Sequence, residues 1–390
     1  QASVAVGRTR PTLPSSMSQR FVIPPAFGLL QSGQRLDANA FLAYDTYGSL
    51  NEDGSNAILW PSCYSQRTTD MVGHIGEGRR FDPATQFIVT VNMPGNGISF
   101  SPTTQGVAWP AGGLSYHDNA RMMQLLLSAL GIERLALLYG FSMGAMLAFE
   151  YCVQFPNKVA TAVAVCGSAR TGPANRWFLT RLADALRGDP RCELDGSEAR
   201  RIVGFQGNAR PEALKTFASI YADWLLDAPR PEEAAACPNS ARPDFARSLH
   251  GAGRAWGPEE LYRTVIPSAG MDEFADRWEK IFSRWDALEY YEVSDTWLRG
   301  DVSNNDLFKG DLAKALGSIQ ALVYVMPGST DQYFRAEEIA AEAALIPGCV
   351  YQPLESPMGH AAESQLECQP QIDAAIRACL ERVASLSVGR

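Results

Sequence analysis

No stretch of this 390-residue chain approaches the ~18 consecutive apolar residues that would span a bilayer. Nor is there a block of like charge. The net charge is -9 and the pI about 5.1, and a surface for nucleic acid or anionic lipid needs clustered Lys and Arg. Neither nucleic acid nor a membrane is therefore expected as a partner. No two of the eight cysteines form a C-x-x-C pair, which removes zinc-ribbon and dithiol readings and leaves no metal site to propose. Cys152 and Cys166 lie in apolar runs and read as small buried hydrophobes. Scattered cysteines of this kind suit a reducing compartment, so a cytoplasmic protein is expected. The first twenty residues lack the apolar core of a secretory signal. They are free of acids and carry Arg and Ser, as transit peptides do, but read more simply as a disordered leader over 1–20. Internal repeats and low-complexity segments are absent. Histidine is scarce: His74, His117, His250 and His360 are the whole supply.

What is present is apolar sequence in short punctuated runs, 46% of the chain in all, ample for a sizeable core. "RFVIPPAFGLLQSG" and "AFLAYDTYG" alternate and end in turn residues, which predicts two antiparallel strands. "NAILWPS", "QFIVTVNMPG", "LALLYGFS" and "ATAVAVCGSA" read as buried central strands. Helical spacing over 118–130, with an early Asp and Gly131 as a stop, and over "MGAMLAFEYCVQFP" separates them. Strand–helix alternation predicts a mostly parallel sheet with helices on both faces. It stops near Arg170 and resumes near Ala321 with "ALVYVMPGST", the helix "FRAEEIAAEAAL", the strand "CVYQPLES" and the helix "QIDAAIRACLERV". The block between is mostly helical by pattern and holds six of the eight tryptophans, Trp177, Trp224, Trp256, Trp278, Trp285 and Trp297. In "FADRWEKIFSRWDAL", Phe274, Trp278, Phe282 and Trp285 share one helical face, the inner side of a cap over a cleft or a dimer surface. The expected organisation is a core over 21–170 and 316–390 with a helical cap over 171–315, inserted after the sixth strand.

Gly140-Phe141-Ser142-Met143-Gly144 fits G-x-S-x-G. Such a match arises by chance in about one chain in ten of this size, so its context matters: it sits between a buried strand and a helix. That sharp turn forces a serine into strained backbone and points it at a helix N-terminus, where free N–H groups can hold an oxyanion. Ser142 then needs a base. His360, in "ESPMGHAAE" just past the last predicted strand, stands where the order nucleophile, acid, base puts it. Asp331, in "MPGSTDQYF", follows the strand that resumes the sheet and would orient the imidazole; its plainer reading is a helix N-cap. The oxyanion donors expected are the backbone of Met143 and of Tyr64 in "PSCYSQ", with Cys63 as runner-up. No nucleotide phosphate loop is visible, so no cofactor is expected.

Five segments carry a resemblance. "NAILWPSCYS", "VNMPGNGISFSPTT", "LGIERLALLYGFSMGAMLAFEYCVQFPNKV", "STDQYF" and "GHAAE" together resemble the homoserine O-acetyltransferase family of α/β hydrolases, over roughly residues 20–385. The resemblance implies an α/β-hydrolase fold, acetyl transfer from acetyl-CoA through a serine ester, and a homodimer joined through the helical insertion. Departures bear on substrate. Ala145 stands where the family has a second glycine after the elbow, and "SCYSQ" replaces its "HALTG" loop. The arginine that holds the homoserine carboxylate, six residues before an Asp-Pro, is Ala183 here. Arg176 or Arg181 could substitute in a different register. Trp177, Phe178, Arg181 and Cys63 are therefore the candidate substrate contacts.

The expectation is a serine-dependent acyl-transfer enzyme on a small-molecule substrate. The acceptor is an alcohol other than homoserine, with acetyl-CoA or a related donor, or else water, making an esterase. A receptor or non-hydrolytic catalyst on the same scaffold is the reading from another class, and the complete triad argues against it.

Overall fold

The short apolar runs become strands in a computed structural model, which describes residues 18–226, 282, 285–356 and 358–388. In chain order the strands are β1 (Gln19–Val22), β2 (Phe41–Tyr47), β3 (Ala57–Pro61), β4 (Phe87–Val91), β5 (Leu135–Phe141), β6 (Val159–Val165), β7 (Cys192–Leu194), β8 (Ile202–Phe205), β9 (Leu322–Met326) and β10 (Val350–Tyr351). Eight form one sheet in the order β1-β2-β4-β3-β5-β6-β9-β10. β1 and β4 pair antiparallel with β2, and the pairs from β4 through β10 are parallel. Helices are α1 (Thr68–Met71), α2 (Tyr116–Ala129), α3 (Met143–Gln154), α4 (Pro173–Arg187), α5 (Pro211–Leu226), α6 (Ala287–Leu298), α7 (Leu312–Gly317), α8 (Ala336–Ala343) and α9 (Gln369–Val388). No helix among the described residues is long and apolar enough to cross a membrane.

Period-two alternation gives the sheet two buried faces. Leu138 of β5, with Ala162 and Ala164 of β6, joins a cluster with α2 and α3. Leu137, Tyr139, Val163 and Val165 join the opposite cluster, which Ile372, Ala375, Ile376 and Cys379 of α9 close. Those four positions are i, i+3, i+4 and i+7, the stripe a helix needs to lie flat on a sheet. Each fully buried Leu, Ile or Val contributes roughly 1.5–3 kcal/mol of transfer free energy. The nucleophile strand is thus held from both sides.

Boundaries differ from the sequence reading in places with local causes. The helix expected from 118 begins at Tyr116, because Ser115 caps it: Ser115 Oγ accepts from the Asp118 amide, and Asp118 accepts from the Ser115 amide at 3.2 Å. The leader expected over 1–20 lies outside the described residues as far as 17, but Gln19 and Arg20 already pair with Tyr44 and Ala43 in β1. The long first strand ends at Val22, since Pro24 and Pro25 turn the chain into a 3₁₀ helix over Pro25–Phe27. The helix expected through residue 288 is interrupted: Trp285 lies at a bend, and Asp286 with Glu289 forms a capping box that starts α6. Phe282 and Trp285 are buried inside this chain, against Tyr290 among others. Phe274, Trp278 and Trp256 lie outside the described residues, as do His250 and Cys237.

The insertion after β6 is not wholly helical. β7 and β8 form an antiparallel hairpin whose loop over residues 195–201 turns where the Arg200 amide donates to the Ser197 carbonyl at 3.0 Å. Arg201 ties this hairpin to α6, bonding Asp295 at 2.6 Å and pairing with Glu292. Burial pushes the Glu292 carboxyl up to about 7, with Arg201 opposing. The 315/316 boundary expected between cap and core cuts α7.

The chain leaving β6 for the insertion is held by Glu342 of α8, whose carboxylate accepts the amides of Ala169 at 2.7 Å and Arg170 at 3.1 Å. Burial, with Glu338 adding to it, pushes the Glu342 carboxyl up to about 7, against those two amide bonds and Arg170. The folded state therefore binds this proton more tightly than the unfolded chain, whose carboxyl titrates near 4.5. Stability from this group is fully present below about 4.5 and is lost as pH rises through about 7. Between pH 4.5 and 8 the wild type should lose on the order of 1–3 kcal/mol relative to Glu342→Gln. Urea midpoints of the two proteins at both pH values test this, and parallel pH curves would refute it.

Candidate active site

β5 delivers Ser142 to the head of α3 through a turn that only a strained residue can make. Ser142 has φ 55 and ψ −123, a left-handed value unusual for a residue with a side chain. The turn is possible because Gly140 has no Cβ: one built there would stand 2.2 Å from the Gly144 carbonyl oxygen. Ala145, where the resembling family has glycine, fits for a similar reason. A Cβ on Gly167 would lie 2.5 Å from that of Ala145, so the room is provided by the loop after β6.

His360 stands in a 3₁₀ turn over Gly359–Ser364, and Asp331 in the loop after β9. His360 Nε2 lies 2.9 Å from Ser142 Oγ, and His360 Nδ1 lies 2.7 Å from Asp331 Oδ2. All three residues are buried, each at 2% exposure, so water does not compete for these bonds. Asp331 Oδ1 accepts the amides of Tyr333 at 2.9 Å and Phe334 at 3.0 Å. With the carboxylate acting throughout as acceptor, Nδ1 carries the imidazole proton and Nε2 presents its lone pair to Ser142. The helix that follows begins at Ala336 after Arg335, so Asp331 is not its N-cap. Thr330 ties the two loops together, donating to the Ser356 carbonyl at 2.8 Å and accepting the Gly359 amide at 2.9 Å. Phe141, Tyr333 and Phe334 pack around the imidazole, with ring centroids 5.0, 4.8 and 5.4 Å away.

The two backbone amides expected as oxyanion donors, of Met143, first residue of α3, and of Tyr64, have no acceptor among the described residues. The Cys63 amide is already spent, donating to Gln66 Oε1 at 3.1 Å, which removes the runner-up as a donor. Tyr64 is anchored through its ring and hydroxyl. The hydroxyl meets Ser294 Oγ at 3.0 Å, and the ring stacks on Tyr221 and packs against Trp297. Burial pushes that hydroxyl well up, so it stays protonated.

The expected substrate contacts divide. Cys63 is buried beside Tyr64, its thiol pushed up by burial and inert as a nucleophile. Phe178 lies 4.7 Å from the Tyr333 ring, one ring removed from His360. Trp177 is half-buried against Trp224. Arg181 does not join them: its guanidinium is 48% exposed and pairs with Asp184 of its own helix. Arg176 turns back on the Thr171 carbonyl at 3.1 Å. Ala183 is buried in α4. Among the described residues, then, neither Arg176 nor Arg181 takes the place of the arginine that a free carboxylate would need, and Arg181 faces solvent rather than the relay.

Cys166 Sγ, Asp331 and His360 bring three potential metal-ligand atoms within 4.8 Å of one another. Two of these atoms already bond each other, and burial with the charges of Asp331 and Glu363 pushes the thiol well up. That disfavours the thiolate a metal would need, and the cluster fits a hydrogen-bonded relay with a small apolar side chain behind it. An open groove of about 1030 Å³ beside His117, Gln154 and Lys309 lies at the far end of α3, and none of the three relay residues lines it.

A family profile described as the alpha/beta hydrolase fold matches residues 73–218. An ethyl acetate hydrolase of Pseudomonas veronii is 34% identical over 326 residues, 82% of this chain and 83% of that protein. The chain belongs to the α/β hydrolases. Among solved structures, the acetyl esterase MekB superposes on this α/β hydrolase with a TM-score of 0.74 at 31% identity, covering 90% of this chain and 94% of that one. The homoserine O-acetyltransferase of Thermus thermophilus is 26% identical over 356 residues, 82% of this chain and 81% of that protein. This α/β hydrolase is an enzyme by that company, a divergent relative of the acetyltransferases with esterases at higher identity.

Proposed function

We propose that this α/β hydrolase is a serine esterase acting on small esters with a short acyl group, through an acyl-enzyme on Ser142. The observation that carries the reading is the Ser142–His360–Asp331 relay, with bonds of 2.9 and 2.7 Å in a buried setting. Ser142 Oγ attacks the ester carbonyl as its proton passes to His360 Nε2, and Asp331 stabilises the imidazolium. The carbonyl oxygen gains the negative charge and is held by the amides of Met143 and Tyr64. Collapse breaks the bond to the alkoxy oxygen, which leaves as the alcohol with the proton from His360. Water, deprotonated by His360, then attacks the acyl carbon and releases the acid, returning the proton to Ser142.

Water is the acceptor favoured here for two reasons. The ethyl acetate hydrolase and the acetyl esterase MekB share more identity with this chain, over four-fifths of it or more, than the Thermus thermophilus acetyltransferase does. A homoserine carboxylate in a desolvated pocket also needs a cationic partner, and among the described residues neither Ala183 nor the outward Arg181 supplies one. An unpaired buried carboxylate costs several kcal/mol, about a thousandfold in binding. Transfer from acetyl-CoA to another alcohol is the second reading, supported by the acetyltransferase likeness across four-fifths of the chain.

Steady-state kinetics with a series of acetyl and longer-chain esters, beside acetyl-CoA with homoserine, test both. Hydrolysis of short esters should exceed homoserine acetylation by a thousandfold or more in kcat/KM. Homoserine as the better partner would overturn the assignment, and acceleration of ester turnover by added alcohols, with acylated alcohol as product, would favour transfer.

A further inference from the structure

Arg80 lies in the loop before β4, far in sequence from the relay. Its side chain is 2% exposed, an expensive place for a guanidinium unless every donor is engaged. The engagement is specific. Arg80 Nη1 donates to Glu363 Oε1 at 2.8 Å and to the Tyr139 hydroxyl at 2.6 Å. Tyr139 donates in turn to the same Glu363 oxygen at 2.8 Å, closing a triangle. Arg80 Nε reaches Asp373 at 3.1 Å, and Nη2 bonds Gln369 Oε1. Gln369 also donates to the Glu363 carbonyl, so α9 is drawn into the same knot.

Two of these partners stand at telling places. Tyr139 is on β5, three residues before Ser142. Glu363 is in the 3₁₀ turn of His360, three residues after it. Both belong to the face of the sheet opposite α3, where Tyr139 is wedged against Trp60 and Phe81. The strand that presents the nucleophile and the turn that presents the base are covalently unrelated over more than two hundred residues. Links between them include the Ser142–His360 bond itself, the packing of Phe141 on His360, and this triangle.

We propose that Arg80 is a positioning residue for the base: through Glu363 and Tyr139 it sets the distance of His360 Nε2 from Ser142 Oγ. This rests on the relay being the catalytic centre. The role differs from simple stabilisation, because a loosened turn would leave substrate binding intact while lowering the fraction of molecules in which the imidazole can take the serine proton. A sub-ångström loss of register at a general base costs rate before it costs affinity.

The test uses Arg80→Met, Arg80→Lys and the double variant Arg80→Met/Glu363→Gln, which leaves no buried carboxylate facing a missing cation. Folding at the assay temperature is checked by circular dichroism and thermal melts. Expected for Arg80→Met and the double variant are a 10- to 100-fold fall in kcat, a KM within threefold of wild type, and a matching fall in the rate at which a fluorophosphonate labels Ser142. Arg80→Lys should recover at least half of the loss on a logarithmic scale, since an ammonium can still reach Glu363. Folded Arg80→Met or double variant with kcat within threefold of wild type would overturn the proposal, as would a lysine variant no better than methionine. Ser142→Ala is run in parallel. If it retains turnover, the relay reading itself has failed; if it is inert while the Arg80 variants keep full kcat, only the positioning role has.

Discussion

Ser142→Ala should lose four or more orders of magnitude in ester turnover with little change in its melting temperature. A serine that begins covalent catalysis cannot be bypassed by the base it feeds, and single losses within such a unit cost nearly as much as losing all of it. Stability behaves differently. The hydroxyl makes one buried hydrogen bond, to His360, worth about 1 kcal/mol. The backbone at φ 55 is the larger local strain, and alanine inherits it. Ser142→Gly separates the two contributions: it should be as inactive, yet no less stable than the alanine variant, because glycine takes a left-handed φ without a Cβ clash. Turnover and melting curves of the three proteins test this. Residual activity of the alanine variant within tenfold of wild type, on a folded protein, would remove Ser142 from the reaction.

Asp331→Asn should lower kcat by roughly 10³–10⁴ while KM moves little. The structure says why an amide cannot substitute. Oδ1 of Asp331 receives the amides of Tyr333 and Phe334, so an asparagine must put its carbonyl there and its NH2 where Oδ2 now meets His360. A donor facing Nδ1 forces the ring proton onto Nε2, directed at Ser142, and the base then has no lone pair for the serine proton. Kinetics of the folded variant measure the loss, and the rate of covalent labelling at Ser142 should fall with it. An Asp331→Asn protein within tenfold of wild type would show that the carboxylate does not govern the tautomer.

Much of the architecture was legible in one dimension because strands and helices announce themselves by period. The runs at 57–61, 87–91, 135–141, 159–165 and 322–326 are apolar but for Thr90 and Thr161, as strands covered on both faces are, and all five are central strands of the sheet. Ser142 was legible because a strained elbow needs glycine at 140 and 144, and glycine at fixed spacing is visible in any sequence. His360 and Asp331 were legible by their order after the sheet resumes. Other features had no linear signal. Asp286 caps the start of α6 in a way that the aromatic stripe concealed, since Phe282 and Trp285 keep helical spacing up to the bend at Trp285. Arg181 and Arg176 could both be drafted as clamps on paper, and only the fold shows Arg181 facing solvent beside Asp184.

What the sequence by itself determined is the set of elements, their order, and the residue types able to attack, accept a proton and orient the base. These follow from local rules of period, turn geometry and chemistry that act over a few residues. The tertiary structure alone decided which amide of the Cys63–Tyr64 pair is free, that Gly167 makes room for Ala145, and that Arg80 joins the nucleophile strand to the base turn. Each of these depends on groups brought together from distant parts of the chain, and a hydrogen bond a few ångströms long leaves no periodic trace in the sequence that makes it.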